Sequence, residues 1–294
     1  MPATKAGFIG LGHMGRPMAI NLLNAGTDLV VYDLSRGAVG ELVERGAKSA
    51  ASVTHVASNC DLIFLRLPDE VTCEHILTGE GGVFANATPG TIVVDHSTVS
   101  LGMSKRSADR AGEERVQFLD APISGGPEGA AAGTLSIMVG GDEDAFDSAR
   151  PALEIMGANV VRFGENGAGT AMKLINQLLT CVHTVAAAEA FNLANAVGVD
   201  IRKATDMLQK SFGGSAMVGR SGPITADRKF ENSGAAMRNL IKDIGIVMSM
   251  AEEMKLAMPT GQAAADILYE GRDTGLSDLD IAATIIPIEK RSGR

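Results

Sequence analysis

Lys173, Asn176, Gln177, Thr180 and Thr184 are spaced i, i+3, i+4, i+7 and i+11, so in a helix their side chains share one face. Beside them Leu174, Leu178, Val182, Val185 and Ala186 recur at helical spacing as an apolar stripe. A solvated helix face is normally rich in charge, whereas this one holds a single lysine among amides and hydroxyls. Such a lysine can polarise a carbonyl and pass it a proton; a lone helix lysine is more often a surface residue. From the helix alone both readings stand. A second group is Ser124-Gly125-Gly126. A hydroxyl beside two glycines exposes successive backbone N–H groups in a concavity that suits a carboxylate, or else is a plain loop before a strand. The third is Gly10-Leu11-Gly12-His13-Met14-Gly15, a G-x-G-x-x-G run directly after the apolar segment Ala6-Gly-Phe-Ile.

The elements needed to hold these groups follow from the pattern around them. In the glycine run, the first glycine allows a tight turn, the second lets backbone approach a pyrophosphate, and the third lets helix pack close to strand. Arg16 to Ala25 reads as the helix, Leu29 to Tyr32 as the next strand, and Asp33 ends it where an acid can bind the adenosine ribose hydroxyls. Strand, motif, helix, strand and acid in that order predict a dinucleotide site. The acid favours NAD, because a carboxylate repels a 2′-phosphate; Ser35 and Arg36 follow at once and could receive that phosphate, which keeps NADP open.

Further strands are expected at Leu62 to Leu67 and Thr91 to Asp95, followed by Pro68 and by His96-Ser97-Thr98. Ligands lie outside the carboxyl ends of such strands, so Leu67, Pro68 and Thr98 are candidate cofactor contacts, although a proline there is often simple punctuation. Val116 to Asp120, Leu135 to Val139 and Asn159 to Phe163 complete the strands, and Glu143 to Met156 is helical across Pro151. This alternation predicts an α/β, doubly wound, mostly parallel sheet over residues 1–164. A glycine-rich stretch from Gly164 to Gly169 then leads into about thirty residues without Pro or Gly, one helix of roughly 40 Å that can link two halves. Beyond Gly198 only helical periodicity remains, over Ile201 to Gln209, Ala235 to Met254 and Gly261 to Gly271, with Pro223 and Pro259 as breaks. The second domain, 165–294, is therefore expected to be all-helical and to begin with the long helix. Gly245 inside one of its helices suggests close approach by another element.

With 45% hydrophobic residues the chain has ample core, and a net charge of −9 and a pI near 5.1 argue against nucleic acid or an anionic membrane as the main partner, since both need a basic surface. Three cysteines at unrelated spacings suggest neither a disulfide framework nor a metal site. Met1-Pro-Ala-Thr-Lys runs into the first strand without a secretory apolar region, and no uncharged apolar run approaches membrane-spanning length, so a cytoplasmic location is expected.

Taken together, the glycine motif, Asp120-Ala-Pro-Ile-Ser-Gly-Gly126, Gly167-x-Gly169-x-x-x-Lys173-x-x-Asn176 and Lys242-Asp-Ile-Gly245 resemble the β-hydroxyacid dehydrogenases, in order and over nearly the whole chain. That family includes 3-hydroxyisobutyrate dehydrogenases and tartronate semialdehyde (2-hydroxy-3-oxopropionate) reductases. The resemblance implies a Rossmann domain, an interdomain helix and a helical domain through which subunits associate as a homodimer or homotetramer. It implies that Lys173 is catalytic and Asn176 helps hold lysine and substrate. Ser124, Gly125 and Gly126 would take the substrate carboxylate, and Thr98 and Lys242 would lie near the nicotinamide. Gln177, next to Asn176, is expected at the substrate. Many 3-hydroxyisobutyrate dehydrogenases have an Asn-Asn pair and a tryptophan in the later segment, where this chain has Asn176-Gln177 and Phe212-Gly213-Gly214-Ser215. These departures tilt the expectation toward tartronate semialdehyde, with 3-hydroxyisobutyrate or another short hydroxyacid such as threonate as the alternative.

Rival readings are weaker. A 6-phosphogluconate dehydrogenase has a much larger helical domain and a histidine before the asparagine, and imine reductases lack the lysine. A non-catalytic nucleotide-binding regulator would not need Lys173, Asn176 and the Ser124 loop together. The chemistry has its own constraint: with an unperturbed pKa of about 10.4, lysine is a ready acid and a poor base at neutral pH. Aldehyde reduction is therefore expected to be the easier direction there. His96 and His183 are expected to be structural.

Overall fold

The computed structural model describes residues 5–231 and 234–293; the leading Met1-Pro-Ala-Thr lies outside them. The chain forms two compact units, Met1–Lys173 and Leu174–Arg294. Strands of the first are β1 (Ala6–Ile9), β2 (Leu29–Tyr32), β3 (Lys48–Ser49), β4 (Leu62–Leu65), β5 (Ile92–Asp95), β6 (Gln117–Asp120), β7 (Ile123–Ser124), β8 (Leu135–Gly140) and β9 (Gly157–Gly164). They make one sheet in the order β3-β2-β1-β4-β5-β6-β8-β7, with β9 also on β8. β3 to β6 pair in parallel, while β8 runs antiparallel to β6 and β7. The chain leaves β1 toward β2 and returns to β4 on the other side, which makes the carboxyl edge between β1 and β4 the switch point where a ligand crevice opens.

The strands are apolar without alternation because both faces are covered. Successive residues feed different cores: Phe8, Val31, Phe64 and Val94 belong to one, Ile9, Val30, Ile63, Leu65 and Val93 to the other. Helices cover the sheet: α1 (Gly15–Asn24), α2 (Arg36–Glu44), α3 (Val53–Ala57), α4 (Glu70–Thr78), α5 (Val83–Asn86), α6 (Leu101–Glu113), α7 (Gly126–Ala132) and α8 (Glu143–Met156). Ser35, Ser52, Asp69, Ser100 and Asp142 cap α2, α3, α4, α6 and α8, each accepting a backbone N–H of the first turn. Pro151 lies within α8 without ending it.

The long helix α9 spans Ala168–Ala196, 29 residues. It is long and apolar enough by composition to cross a membrane, which the sequence did not lead one to expect. However, 44% of its most apolar window is buried inside the protein, and Leu174, Cys181, Val185 and Phe191 sit in the core of the second unit, so it is a core helix. The rest of that unit is α10 (Ile201–Leu208), α11 (Ala216–Asp227), α12 (Met237–Glu253), α13 (Pro259–Asp273), a 3-10 turn (Ile281–Thr284) and α14 (Ile285–Arg291). Met237, Leu240, Ile244 and Val247 on α12 meet Ala264, Ala265 and Leu268 of α13 in that core.

Two local expectations are corrected. Pro223 lies inside α11 and does not end it. One backbone bond is lost there, but Val218, Gly222 and Thr225 are buried, and Gly222 lets Thr205 of α10 come so close that a Cβ would lie 2.0 Å from its Oγ1; packing outweighs the break. Gly245 is not a point of close approach, since a Cβ there would meet only Tyr269 Oη at 3.6 Å. Gly261 and Gly271 serve that purpose, at 3.0 Å from Leu178 and 2.7 Å from Met237.

The start of α9 is fixed by Asp120 at the end of β6. Its carboxylate accepts the N–H groups of Gly167 and Thr170, each at 2.7 Å, and Ser104 of α6 shares a 2.7 Å hydroxyl bond with Thr170. Gly167 has φ +95°, and a Cβ on Gly169 would lie 2.3 Å from Met138 O and 2.4 Å from Asp120 O. The helix therefore rests on the sheet with no room for one methyl group. Gly169→Ala should lose about 1–3 kcal/mol of stability despite alanine's helix preference, because backbone blocks the methyl. Gly112→Ala, where a Cβ meets nothing within 4 Å, should be neutral or gain up to about 1 kcal/mol. Urea unfolding of both variants checks the contrast.

Candidate functional site

At the end of β1 the chain turns through Gly10 at φ +93°, where a Cβ would fall 2.4 Å from Arg66 O. Gly15 lets α1 approach β1, since its Cβ would lie 1.9 Å from Gly10 O. Gly12 differs: no described atom lies within 4 Å of its Cβ position. Protein packing does not demand that glycine, and the open space is where a pyrophosphate would come against backbone. Gly12 and His13 are exposed and Met14 half-buried; α1 begins with no side-chain cap, and Arg16 N–H already donates to Gly12 O at 3.1 Å, so it is the exposed turn ahead of the helix that is open to an anion. The residues present thus fit a dinucleotide. Asp33 ties β2 to this turn, as Oδ2 accepts Leu11 N–H at 2.6 Å and Oδ1 accepts Ser35 N–H at 2.7 Å.

The loops after β4 and β5 are braced against each other. Leu67 N–H donates to Ser97 Oγ at 2.9 Å, Asp95 accepts Ser97 N–H at 2.8 Å, and Glu70 accepts both the N–H and hydroxyl of Ser100. Leu67 and Thr98 are buried and Pro68 is exposed at the same edge. The stretch Asp120–Ser124 then runs along β8 in one register, Asp120↔Gly140, Ile123↔Ile137, Ser124↔Ser136. The sequence left this segment open between a loop and a concavity. It is a short strand whose end, Gly125 at φ +138° and Gly126 at φ +67°, turns into α7 without a side-chain cap. Lys173 follows Thr170 by three residues on α9 and is 6% exposed, so it is not a surface lysine.

In the helical unit, Asn176, Gln177 and Lys242 are brought together by Asp243, which is itself buried. Asn176 Nδ2 donates to Gln177 Oε1 at 3.0 Å, Gln177 Nε2 donates to Asp243 Oδ2 at 2.5 Å, and Lys242 Nζ lies 2.8 Å from Asp243 Oδ1. Two acids thus matter to the geometry that the sequence quoted within motifs without a role, Asp120 and Asp243. Their partners are 47 to 66 residues away, a separation no local pattern reports.

Fold and motif geometry define a nicotinamide-dependent dehydrogenase of the Rossmann-plus-helical type. Residues 5–164 match the family profile of the NAD-binding domain of 6-phosphogluconate dehydrogenase, and residues 167–288 match that of the NAD-binding region of NADP-dependent 3-hydroxyisobutyrate dehydrogenase. The chain is 37% identical to 2-(hydroxymethyl)glutarate dehydrogenase of Eubacterium barkeri, across 98% of this chain and 96% of that one. It is 36% identical to 2-hydroxy-3-oxopropionate reductase of Escherichia coli, across 97% of each. It also superimposes on 3-hydroxyisobutyrate dehydrogenase of Mycobacterium tuberculosis, solved with L-serine, with a TM-score of 0.87, 32% identity and coverage of 97% and 99%. The chain belongs to the β-hydroxyacid dehydrogenase family, and it is an NAD(P)-dependent enzyme acting on the CH–OH group of a small hydroxyacid.

His96, beside Thr98, has no exposed surface. Its Nδ1 lies 2.7 Å from Ala121 O, which can only accept, so Nδ1 carries a proton. The ring stacks on Phe64 at 5.7 Å. Burial lowers its pKa from 6.5 to about 4, with the Ala121 bond pulling the other way. Below pH 6.5 the unfolded chain takes up a proton that the folded one refuses, so this contribution to stability falls between pH 6.5 and about 4 and is level outside that window. At roughly 1.4 kcal/mol per unit, the unfolding free energy of wild type relative to His96→Asn should drop by up to about 3 kcal/mol across it. Denaturant unfolding at half-unit pH steps measures the difference; a pH-independent difference would show that His96 charges freely in the fold.

Proposed function

We propose that the enzyme reduces tartronate semialdehyde (2-hydroxy-3-oxopropionate) with NADH. The observation that carries this choice is Asn176-Gln177 in place of an Asn-Asn pair, together with the absence of tryptophan from Phe212-Gly213-Gly214-Ser215. The similarity to the Escherichia coli reductase over almost the full length of both chains supports it. Residues 1–164 form the nucleotide domain and 165–294 the substrate and association domain.

In this assignment Gly10, Leu11, Gly12, His13, Met14 and Gly15 hold the pyrophosphate, Asp33 the adenosine ribose, and Leu67, Pro68, Thr98 and Lys242 the nicotinamide end. Ser124, Gly125 and Gly126 take the substrate carboxylate, and Asn176 and Gln177 belong to the substrate group. When bound, the nicotinamide supplies the hydride. The ammonium of Lys173 polarises the aldehyde and gives its proton to the oxygen as charge develops there. In the oxidative direction the same nitrogen must first be neutral to take the hydroxyl proton. NADH is preferred over NADPH because both Asp33 oxygens are anchored by backbone N–H groups and cannot swing away from a 2′-phosphate.

A homodimer or homotetramer is proposed with it: Ile175, Leu179 and Leu193 on α9 are each more than half exposed and share one helix face, an apolar stripe suited to a second copy. Three buried free cysteines suit a reducing cytoplasm.

The test is a panel with both nicotinamide cofactors: tartronate semialdehyde reduction, and oxidation of glycerate, 3-hydroxyisobutyrate and threonate. Tartronate semialdehyde should give the highest kcat/KM, with NADH favoured by about tenfold or more; a higher value for 3-hydroxyisobutyrate or threonate would replace the substrate and leave the lysine chemistry in place. Oxidation should accelerate from neutral to alkaline pH. Lys173→Ala should lower turnover by about 10²–10⁴-fold while nucleotide affinity holds; unchanged turnover would remove Lys173 from the chemistry.

A further inference from the structure

Gln177 stands next to the proposed substrate amide, yet both ends of its own amide are engaged within the helical unit, and it is only 7% exposed. The directions of these bonds follow from chemistry rather than from the placement of indistinguishable amide atoms. Asp243 is a carboxylate and can only accept, so Gln177 must turn its NH2 group toward it. That puts the Gln177 carbonyl at Asn176, and a carbonyl can only accept, so Asn176 must in turn present its NH2 group. The carbonyl edge of Asn176 is thereby directed to the opposite side. Lys242, at 2.8 Å from the other Asp243 oxygen, anchors the start of the series to the Lys242-Asp243 motif.

We infer that Gln177 is a positioning residue that transmits the polarity of Asp243 to Asn176, so that Asn176 offers an acceptor and not a donor to the hydroxyl groups of substrate and product. The inference rests on the proposed placement of Asn176 at the substrate and deepens it. Glutamine rather than asparagine is required at position 177 because the side chain must span from a helix-α9 neighbour to a carboxylate on α12; one methylene less leaves Asp243 without this donor.

Two measurements on the full chain test this. The first needs no substrate. Side-chain amide 1H–15N spectra, with the Asn176 pair assigned by its loss in Asn176→Asp, should show that pair protected from solvent exchange and shifted by Gln177→Met. An Asn176 pair that exchanges like exposed amides and ignores Gln177→Met overturns the inference.

The second uses whichever panel substrate is turned over. Gln177→Met should lower kcat/KM by about tenfold or more in the wild-type background and by less than about twofold in Asn176→Ala, since it acts through that residue. Effects that multiply would mean that Gln177 touches the substrate itself. Where Gln177→Met folds poorly, Gln177→Glu with Asp243→Asn decides: the new carboxylate accepts from both amides, keeps the orientation of Asn176, and should recover most of the activity lost in Gln177→Glu alone. No recovery counts against the proposal. If no panel substrate is turned over, the function proposed above fails, and the spectra still settle the orientation of Asn176.

Discussion

The carboxylate of Asp120 is the contact on which the placement of Lys173 depends. It is 2% exposed, and burial pushes its carboxyl up, while the N–H groups of Gly167 and Thr170 favour the charge. A hydrogen bond to a charged group is worth about 1.5–3 kcal/mol, and the positive end of the helix dipole adds to it. Because the acid ends β6 and its partners begin α9, the first turn of the helix is set by the sheet. Gly140 and Gly169 remove the side chains that would hold them apart: a Cβ on Gly140 would lie 2.7 Å from the Asp120 carboxylate and from Gly169 N. Lys173 is then one turn along a helix whose origin cannot slide.

The same device recurs. Asp33 holds the glycine turn through Leu11 N–H, Asp95 holds Ser97, which holds Leu67, and Asp243 holds Gln177. Each acid ends a strand or lies in a helix, and each takes donors from the motif it supports. A carboxyl oxygen that accepts suits this work because the N–H set against it has one permitted orientation. These acids organise the motifs, while the open backbone amides of the Gly12 turn face outward.

Much of this was legible in the sequence, and for a physical reason. Gly10 and Gly15 are constrained by their own turn and Gly12 by the open space beside it, so spacing alone predicts the strand, the helix start and the room for a ligand. The mostly parallel character of the sheet also followed, because buried parallel strands carry continuous apolar runs, whereas the strand order did not. What could not be read depends on distant partners. Pro223 is tolerated because Gly222 and Thr205 pack α11 onto α10, and Gly245 needs no small residue because nothing presses on it. Asp120 and Asp243 stood inside quoted motifs, but their duties are defined by residues far along the chain. Ser124-Gly125-Gly126 was ambiguous until Ser124 paired with Ser136 and fixed the turn.

The polar face of α9 completes this logic. Lys173, Gln177 and Thr184 are buried on a helix that otherwise supplies core, and a purely structural helix would place Leu or Ala there at lower cost. Thr180 and Thr184 satisfy their hydroxyls on the carbonyls four residues earlier, at 2.9 and 2.7 Å, which needs no outside partner. Asn176 and Gln177 cannot do this, since their amides must both donate and accept, and they draw on Asp243 for direction. A face built this way resists drift: an apolar residue at 177 takes the amide donor from the buried Asp243 carboxylate, and one at 176 takes the donor from the Gln177 carbonyl. The constraint that orients Asn176 also ties it to Lys242, so the two motifs can change only together.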